Sequence, residues 1–203
     1  MAGGADGAGI PFVGLTGGIA AGKSEALRAL DRLGAATLSS DDVVHELLTT
    51  GEVRDMLVER FGDDVAPDGE VDRGAVAEVV FADPEQRGWL EGLLWPRVGE
   101  RIASWRQELE HAEPPPRAAV VEVPLLFESG MEAAFDGTIA VVADEGTRSE
   151  RAGIRGHRGV ESRTSRQLVQ EEKARRADVV VRNDGTLEEL EQALSSALAK
   201  IVP

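Results

Sequence analysis

The stretch that decides the fold is residues 17–24, Gly17-Gly18-Ile19-Ala20-Ala21-Gly22-Lys23-Ser24. It satisfies the pattern G-x-x-x-x-G-K-[ST] at every required position and follows directly on a short apolar run, IPFVGLT at 10–16. A strand, a glycine-rich turn and a helix in that order make a phosphate loop. Glycines let the backbone curl until successive N–H groups point inward at phosphate oxygens, and the helix N-terminus adds partial positive charge. A lysine in the position of Lys23 reaches the β- and γ-phosphates, and a hydroxyl in the position of Ser24 is placed to ligate Mg²⁺. The pattern and its context therefore predict a nucleoside triphosphate held with Mg²⁺.

Outward from the loop, strand-like and helix-like stretches alternate. Apolar Ala26, Leu27, Leu30 and Leu33 predict a helix that stops at Gly34, followed by a second strand at 35–39. Helices are expected at 43–50 and 51–61, and a turn-rich stretch, GDDVAPDGEVDRG, leads on to 75–81. From 84 to 111, Trp89, Leu90, Leu93, Leu94, Val98, Ile102, Trp105 and Leu109 recur at helical spacing, and Pro96 inside that run predicts a kink or a break. The tryptophans Trp89, Trp95 and Trp105 are read as core first. Further strands are predicted at 118–123, 138–142 and 178–181, with two helical patches between the last two. A closing helix at 187–201 is capped by Thr186, with Glu189 three residues on. Alternation of this kind implies an α/β fold, a parallel sheet with helices on both faces. One P-loop domain is expected over 12–203 behind a flexible tail at 1–11, with a helical acceptor lobe near 51–115 and an Arg-rich lid near 146–176.

Composition narrows the chemistry. The chain has 203 residues, 42% hydrophobic and 29% charged, and no cysteine, which rules out a disulfide scaffold, an iron–sulfur cluster and a thiol nucleophile. Three histidines, at 45, 111 and 157, are too scattered to suggest a zinc site. No apolar run is long enough to span a bilayer and the opening has no basic leader region, so a cytoplasmic protein is expected. The net charge is −15, yet residues 148–176 hold nine basic side chains against four acidic ones. A long nucleic acid would be repelled by the acidic remainder, while a small polyanion could be gripped locally. A short chain with this loop, this basic stretch and no guanine-reading NKxD element fits a small-molecule kinase whose arginines close over the transferring group.

Four blocks resemble one family closely: LTGGIAAGKS (15–24), SSDDVVHEL (39–47), VVEVPLLFESG (120–130), and Arg163…Gln167 with EEKARRADVVVRNDG (171–185). They are similar to the dephospho-CoA kinases, in register from residue 13 to about 200. The resemblance implies ATP and dephospho-CoA as substrates, with transfer to the ribose 3′-hydroxyl in the last step of coenzyme A biosynthesis. No nucleic-acid or membrane partner is implied, and the oligomeric state has no signal. ATP-binding residues would be Gly17, Gly18, Ile19, Ala20, Ala21, Gly22, Lys23, Ser24 and Glu25, with Asn183 and Gly185 near the adenine. Asp41 falls on the family's base toward the acceptor hydroxyl and would share Mg²⁺ with Ser24. Its neighbour Asp42 is read as a cap or a solvated acid. Thr16, Asp41, His45, Pro124, Leu125, Leu126 and Glu128 would border the acceptor. The lid arginines would be Arg151, Arg155 and Arg163, with Arg151 and Arg163 acting alongside Lys23 and Asp41 in catalysis.

The chain also departs from the family pattern. Ser39 replaces the first Asp of D-A-D, Trp95 replaces a His before Pro, Glu25 replaces a Thr, Arg182 replaces an acid, and the lid is about three residues short. Two other readings stay open on sequence alone: a kinase for another small acceptor such as a nucleoside monophosphate, and a nucleotide-binding sensor without turnover.

Overall fold

The computed structural model describes residues 9–154 and 167–202. In chain order the elements are β1 (Phe12–Gly17), α1 (Lys23–Arg32), β2 (Ala36–Ser39), α2 (Ser40–Leu48), α3 (Gly51–Phe61), a 3₁₀ turn (Asp63–Val65), α4 (Arg73–Ala82) and α5 (Pro84–Leu109). There follow β3 (Ala119–Glu122), a second 3₁₀ turn (Met131–Ala134), β4 (Gly137–Val142), α6 (Glu145–Ile154), α7 (Gln170–Arg176), β5 (Val179–Arg182) and α8 (Leu187–Ile201). They fall into two compact units, one comprising Met1–Ser39 and Arg106–Pro203, the other Ser40–Trp105.

The first unit holds the sheet. Its five strands run in the order β2-β3-β1-β4-β5, and every pairing is parallel. Strands β1, β3 and β4 are buried along their whole length, which explains why they read as continuous apolar runs rather than as alternation. On one face, Val13, Leu15, Val120, Ile139, Val141 and Val181 pack with Ala26, Ala29 and Leu30 of α1 and Leu190, Leu194, Ala197 and Leu198 of α8. Both helices present one stripe at three- and four-residue spacing. On the other face, Leu126 and Phe135 close over the bare backbone of Gly14, and α7 lies against β1 and β4. The expected capping box of α8 forms: the Thr186 hydroxyl accepts from Glu189 N while the Glu189 carboxylate accepts from Thr186 N.

The chain leaves β1 toward β2 on one side of the sheet and later crosses to β4 on the other. The C-terminal ends of β1 and β3 therefore flank a topological switch point, the place where open parallel sheets bind ligands. The phosphate loop leaves β1 at that edge.

The second unit is helical and packs around Leu48, Val53, Leu57, Val65, Val76, Val80, Leu93 and Leu94. Thr50 and Asp72 cap α3 and α4, each accepting from backbone N–H groups of the first turn. The helical unit runs from Ser40 to Trp105. It thus takes in α2, which starts three residues earlier than the periodicity predicts because Ser40, Asp41 and Asp42 already form its first turn.

In α5 the break allowed for at Pro96 does not occur, and the expectation for Trp95 is corrected. The helix runs past Pro96 without a break, and Arg97 Nη1 donates to the Leu93 carbonyl at 2.9 Å beside the position where proline cannot donate. Trp95 is not core: it is 45% exposed, because the buried stripe passes through Leu94, Val98 and Ile102 and leaves residue 95 about a quarter-turn away. Trp89 does pack, edge-on against Phe61 with ring centroids 5.3 Å apart.

Candidate active site

The loop is held by its own backbone and by two side chains, one from the residue after β5 and one from α6. Gly22 caps α1 with φ 96°, a left-handed conformation that L side chains rarely adopt, and an added Cβ would overlap the Asn183 amide. Ala20 also has positive φ, at 60°, an uncommon conformation for a residue with a side chain and one that clusters at ligand-clamping turns. Asn183 is buried, donating from Nδ2 to Ala21 O at 2.9 Å and from its backbone N to Val142 O at 2.8 Å. Arg151 Nη1 donates to Asn183 O at 3.1 Å and lies 3.5 Å from Ala21 O. Both residues brace the loop from beneath. Lys23 Nζ lies on the carbonyls of Gly17 and Gly18, at 3.3 and 3.1 Å. Ser24 is exposed in the first turn of α1.

Residues 17–24 are thus one continuous cradle. Glu25 turns away from it to pair with Arg28 at 3.1 Å and Arg32 at 3.3 Å. Gly185 lies against the Glu189 carboxylate of the capping box, where a Cβ would collide.

Beside the loop stands an acid that the sequence reading passed over. Glu122 is the last residue of β3, only 8% exposed, and in parallel register with Leu15 on one side and Ser39 on the other. The position where the family pattern has its first Asp therefore holds a serine next to a buried carboxylate. The signal was available: one acid inside the apolar stretch AAVVEV, where burial without a polar purpose is costly.

In the helical unit, Asp41 and His45 lie four residues apart on α2 and so share a face. Both are exposed, as is Asp42. Arg73, the first residue of α4, approaches His45 Nδ1 with Nη1 at 3.1 Å, a contact with no sequence signature because 28 residues separate the pair. Among the described residues no cluster of three or more His, Asp or Glu side chains is arranged to cage a cation.

The profile of the dephospho-CoA kinase family matches residues 11–189. The chain belongs to the dephospho-CoA kinase family. It is 38% identical over 191 residues to the dephospho-CoA kinase of Symbiobacterium thermophilum, covering 92% of this chain and 79% of that one. To the enzyme of the same name from Streptomyces avermitilis it is 37% identical over 195 residues, with 94% and 93% covered. Its fold superposes on the crystal structure of TT1252 from Thermus thermophilus with a TM-score of 0.80 and 32% identity, over 96% of this chain and 100% of that one. The protein is a kinase, an ATP-dependent transferase of coenzyme A biosynthesis that phosphorylates dephospho-CoA. Among the described residues no helix is long and apolar enough to cross a membrane.

The VPLLFE block that carries much of the resemblance to dephospho-CoA kinases turns out to be tied into the protein's interior. Leu126 is fully buried and the Pro124 carbonyl accepts from Lys173 Nζ, while the buried Thr16 hydroxyl reaches the same carbonyl at 3.5 Å. Glu128 Oε1 pairs with Lys173 Nζ at 3.0 Å and accepts from Leu168 N at 2.7 Å. Lys173 is 0% exposed. This ion pair joins the loop after β3 to α7 and to the segment just before it, which a reading of Glu128 as an acceptor contact alone had missed. Of the expected lid arginines of the kinase, Arg151 is described, whereas Arg155 and Arg163 lie outside the described residues.

Burial holds the Lys173 ammonium below its ordinary value of 10.5, against the opposing hydrogen bond and charge of Glu128. The native chain therefore releases this proton before the unfolded chain does. Stability from this group should rise with pH between the lowered native value and 10.5. Lys173→Met leaves Glu128 buried beside no cation and should cost about 3–5 kcal/mol, whereas Lys173→Met with Glu128→Leu should recover most of it. Urea unfolding of both variants checks this, and the alkaline rise should vanish in each.

Proposed function

We propose that the chain transfers the γ-phosphoryl group of ATP in line to the ribose 3′-hydroxyl of dephospho-CoA, giving coenzyme A and ADP. The observation that carries the reading is a complete phosphate loop at the switch point of the sheet, with Lys23 on the Gly17 and Gly18 carbonyls and buried Glu122 on the next strand. In this reading the backbone N–H groups of residues 17–24 and the N-terminus of α1 hold the triphosphate, and Lys23 neutralises the β/γ oxygens. Asp41 orients the 3′-hydroxyl and accepts its proton as the oxygen attacks. By the family resemblance His45 and the half-buried Pro124, Leu125 and Glu128 border the acceptor, whereas Thr16 and Leu126 are fully buried. Arg151 secures the loop by donating to the Ala21 and Asn183 carbonyls.

The donor set suits Mg²⁺. By the family resemblance it would comprise hard oxygens, the Ser24 hydroxyl and the Asp41 carboxylate, and no all-protein cage is present among the described residues. Mg²⁺ is typically held by one or two protein oxygens together with the substrate phosphates. When bound with ATP, the metal neutralises charge that develops on the bridging oxygens.

ADP release measured with Mg-ATP and a panel of dephospho-CoA, AMP, CMP and shikimate tests the proposal. Turnover with dephospho-CoA alone is the expected result. Turnover with another acceptor would overturn the substrate, and ATP binding without turnover would overturn the catalysis.

A further inference from the structure

Helix α6 carries two arginines one turn apart, and they face different surroundings. Arg151 is engaged by the Ala21 and Asn183 carbonyls. Arg148 instead lines a cavity of about 130 Å³ with Gly18 and Ile19 of the phosphate loop and with Gln167, Gln170 and Glu171. Among the described residues its buried Nε has no hydrogen-bond partner, and neither has Gln167 Oε1 on the same cavity. Gln170 cannot serve Arg148 as an acceptor without giving up Ala143: its amide accepts from Ala143 N at 3.2 Å and donates to Ala143 O at 2.8 Å. Its Cβ also abuts Gly18 so closely that a side chain at Gly18 would force it aside. The cavity wall is thereby held in place against the loop, and a cationic donor with an unmet N–H stands in it.

The position of Lys23 says which phosphate lies nearby. Its ammonium rests on the Gly17 and Gly18 carbonyls, and a phosphate-loop lysine reaches the β- and γ-phosphates. Gly18 borders the cavity, so the cavity opens at the γ end of the loop rather than at the adenine end. We propose that Arg148 is a second cationic contact, beside Lys23, to the γ-phosphoryl group of bound ATP, and that it remains on that group during transfer. The inference rests on the phosphoryl-transfer reading above. Arg148 forms no covalent bond in this role. It donates N–H to a γ oxygen while the bond from phosphorus to the β-bridging oxygen breaks and the bond to the acceptor oxygen forms. A planar guanidinium suits a trigonal group better than a second lysine would. Glu171 is the acidic neighbour: a backbone N–H, then the Gln170 amide, and finally the charge of Arg148 hold its carboxyl below the ordinary range.

The test compares ligands that differ only in the γ group. In Arg148→Gln, calorimetric affinity for the non-hydrolysable ATP analogue AMP-PNP with Mg²⁺ should fall roughly 10- to 100-fold, the span of a charge-assisted hydrogen bond, while affinity for ADP is unchanged. Under saturating substrates kcat should drop on the order of 10²-fold. Arg148→Lys should recover part of both, and it carries the same comparison should Arg148→Gln fail to fold. AMP-PNP affinity that stays put, or that falls together with ADP affinity, would overturn the proposal and leave Arg148 as a support for the cavity wall. The binding comparison needs no acceptor. It therefore decides the role of Arg148 even if the panel of acceptors overturns dephospho-CoA as substrate.

Discussion

Asp41→Asn should lower kcat for dephospho-CoA phosphorylation by about two to four orders of magnitude, the span usual for a lost general base. The argument starts from position. Asp41 lies in the first turn of α2, two residues after the end of β2, exposed and four residues before His45. Asparagine keeps the shape and can still hydrogen-bond the acceptor hydroxyl, but it cannot take the proton, so the loss should fall on kcat and spare much of the binding. Asp42, its neighbour on the helix, is about 100° away in projection and supplies the control. Asp42→Asn should leave kcat within a few-fold of the unaltered protein. Steady-state kinetics on the two variants decides the matter, and equal losses in both would remove Asp41 from the role of base.

Lys23→Ala should reduce turnover by about three orders of magnitude, because it deletes the charge that meets the β/γ oxygens within a water-poor loop. The fold should survive the change. The loop is secured independently by Gly22 at the cap of α1, by the hydrogen bond from Asn183 to Ala21, and by Arg151 across Ala21 and Asn183. Thermal unfolding should therefore shift little while ATP turnover collapses. Lys23→Arg should not restore activity, since a planar fork cannot occupy the compact site of an ammonium that lies 3.3 and 3.1 Å from two adjacent carbonyls. A variant that unfolds, or one that retains near-normal turnover, would contradict this account.

Lys23 stands in a local pattern, and local patterns are legible along the chain. The loop at 17–24 announces itself because cradling phosphate needs glycine, lysine and hydroxyl at fixed spacing along one turn. The box of Thr186 and Glu189 is equally local, since each partner reaches the other across three residues. The apolar runs at β1, β3 and β4 revealed a sheet covered on both faces. Asp41 and the VPLLFE block were placed by family resemblance, whereas only packing shows that α2 belongs to the helical unit, which begins at Ser40.

Other features could not be read along the chain. Glu122 acquires meaning only beside Leu15 and Ser39, and strand order decides that neighbourhood. Glu128 and Lys173 are 45 residues apart in sequence, yet they form a buried ion pair 3.0 Å long. Among the described residues, Arg148 is set apart by the cavity it lines and Arg73 by its contact with His45.

The sequence by itself determined the phosphate loop, the parallel α/β class and the family, because each is written in spacings that a single strand, turn or helix imposes. Only the tertiary structure decided which side chains support that loop and which face its γ end. Crossovers and helix packing bring distant residues to one edge of the sheet. There, burial makes every unpaired donor or charge costly and so selects its partner.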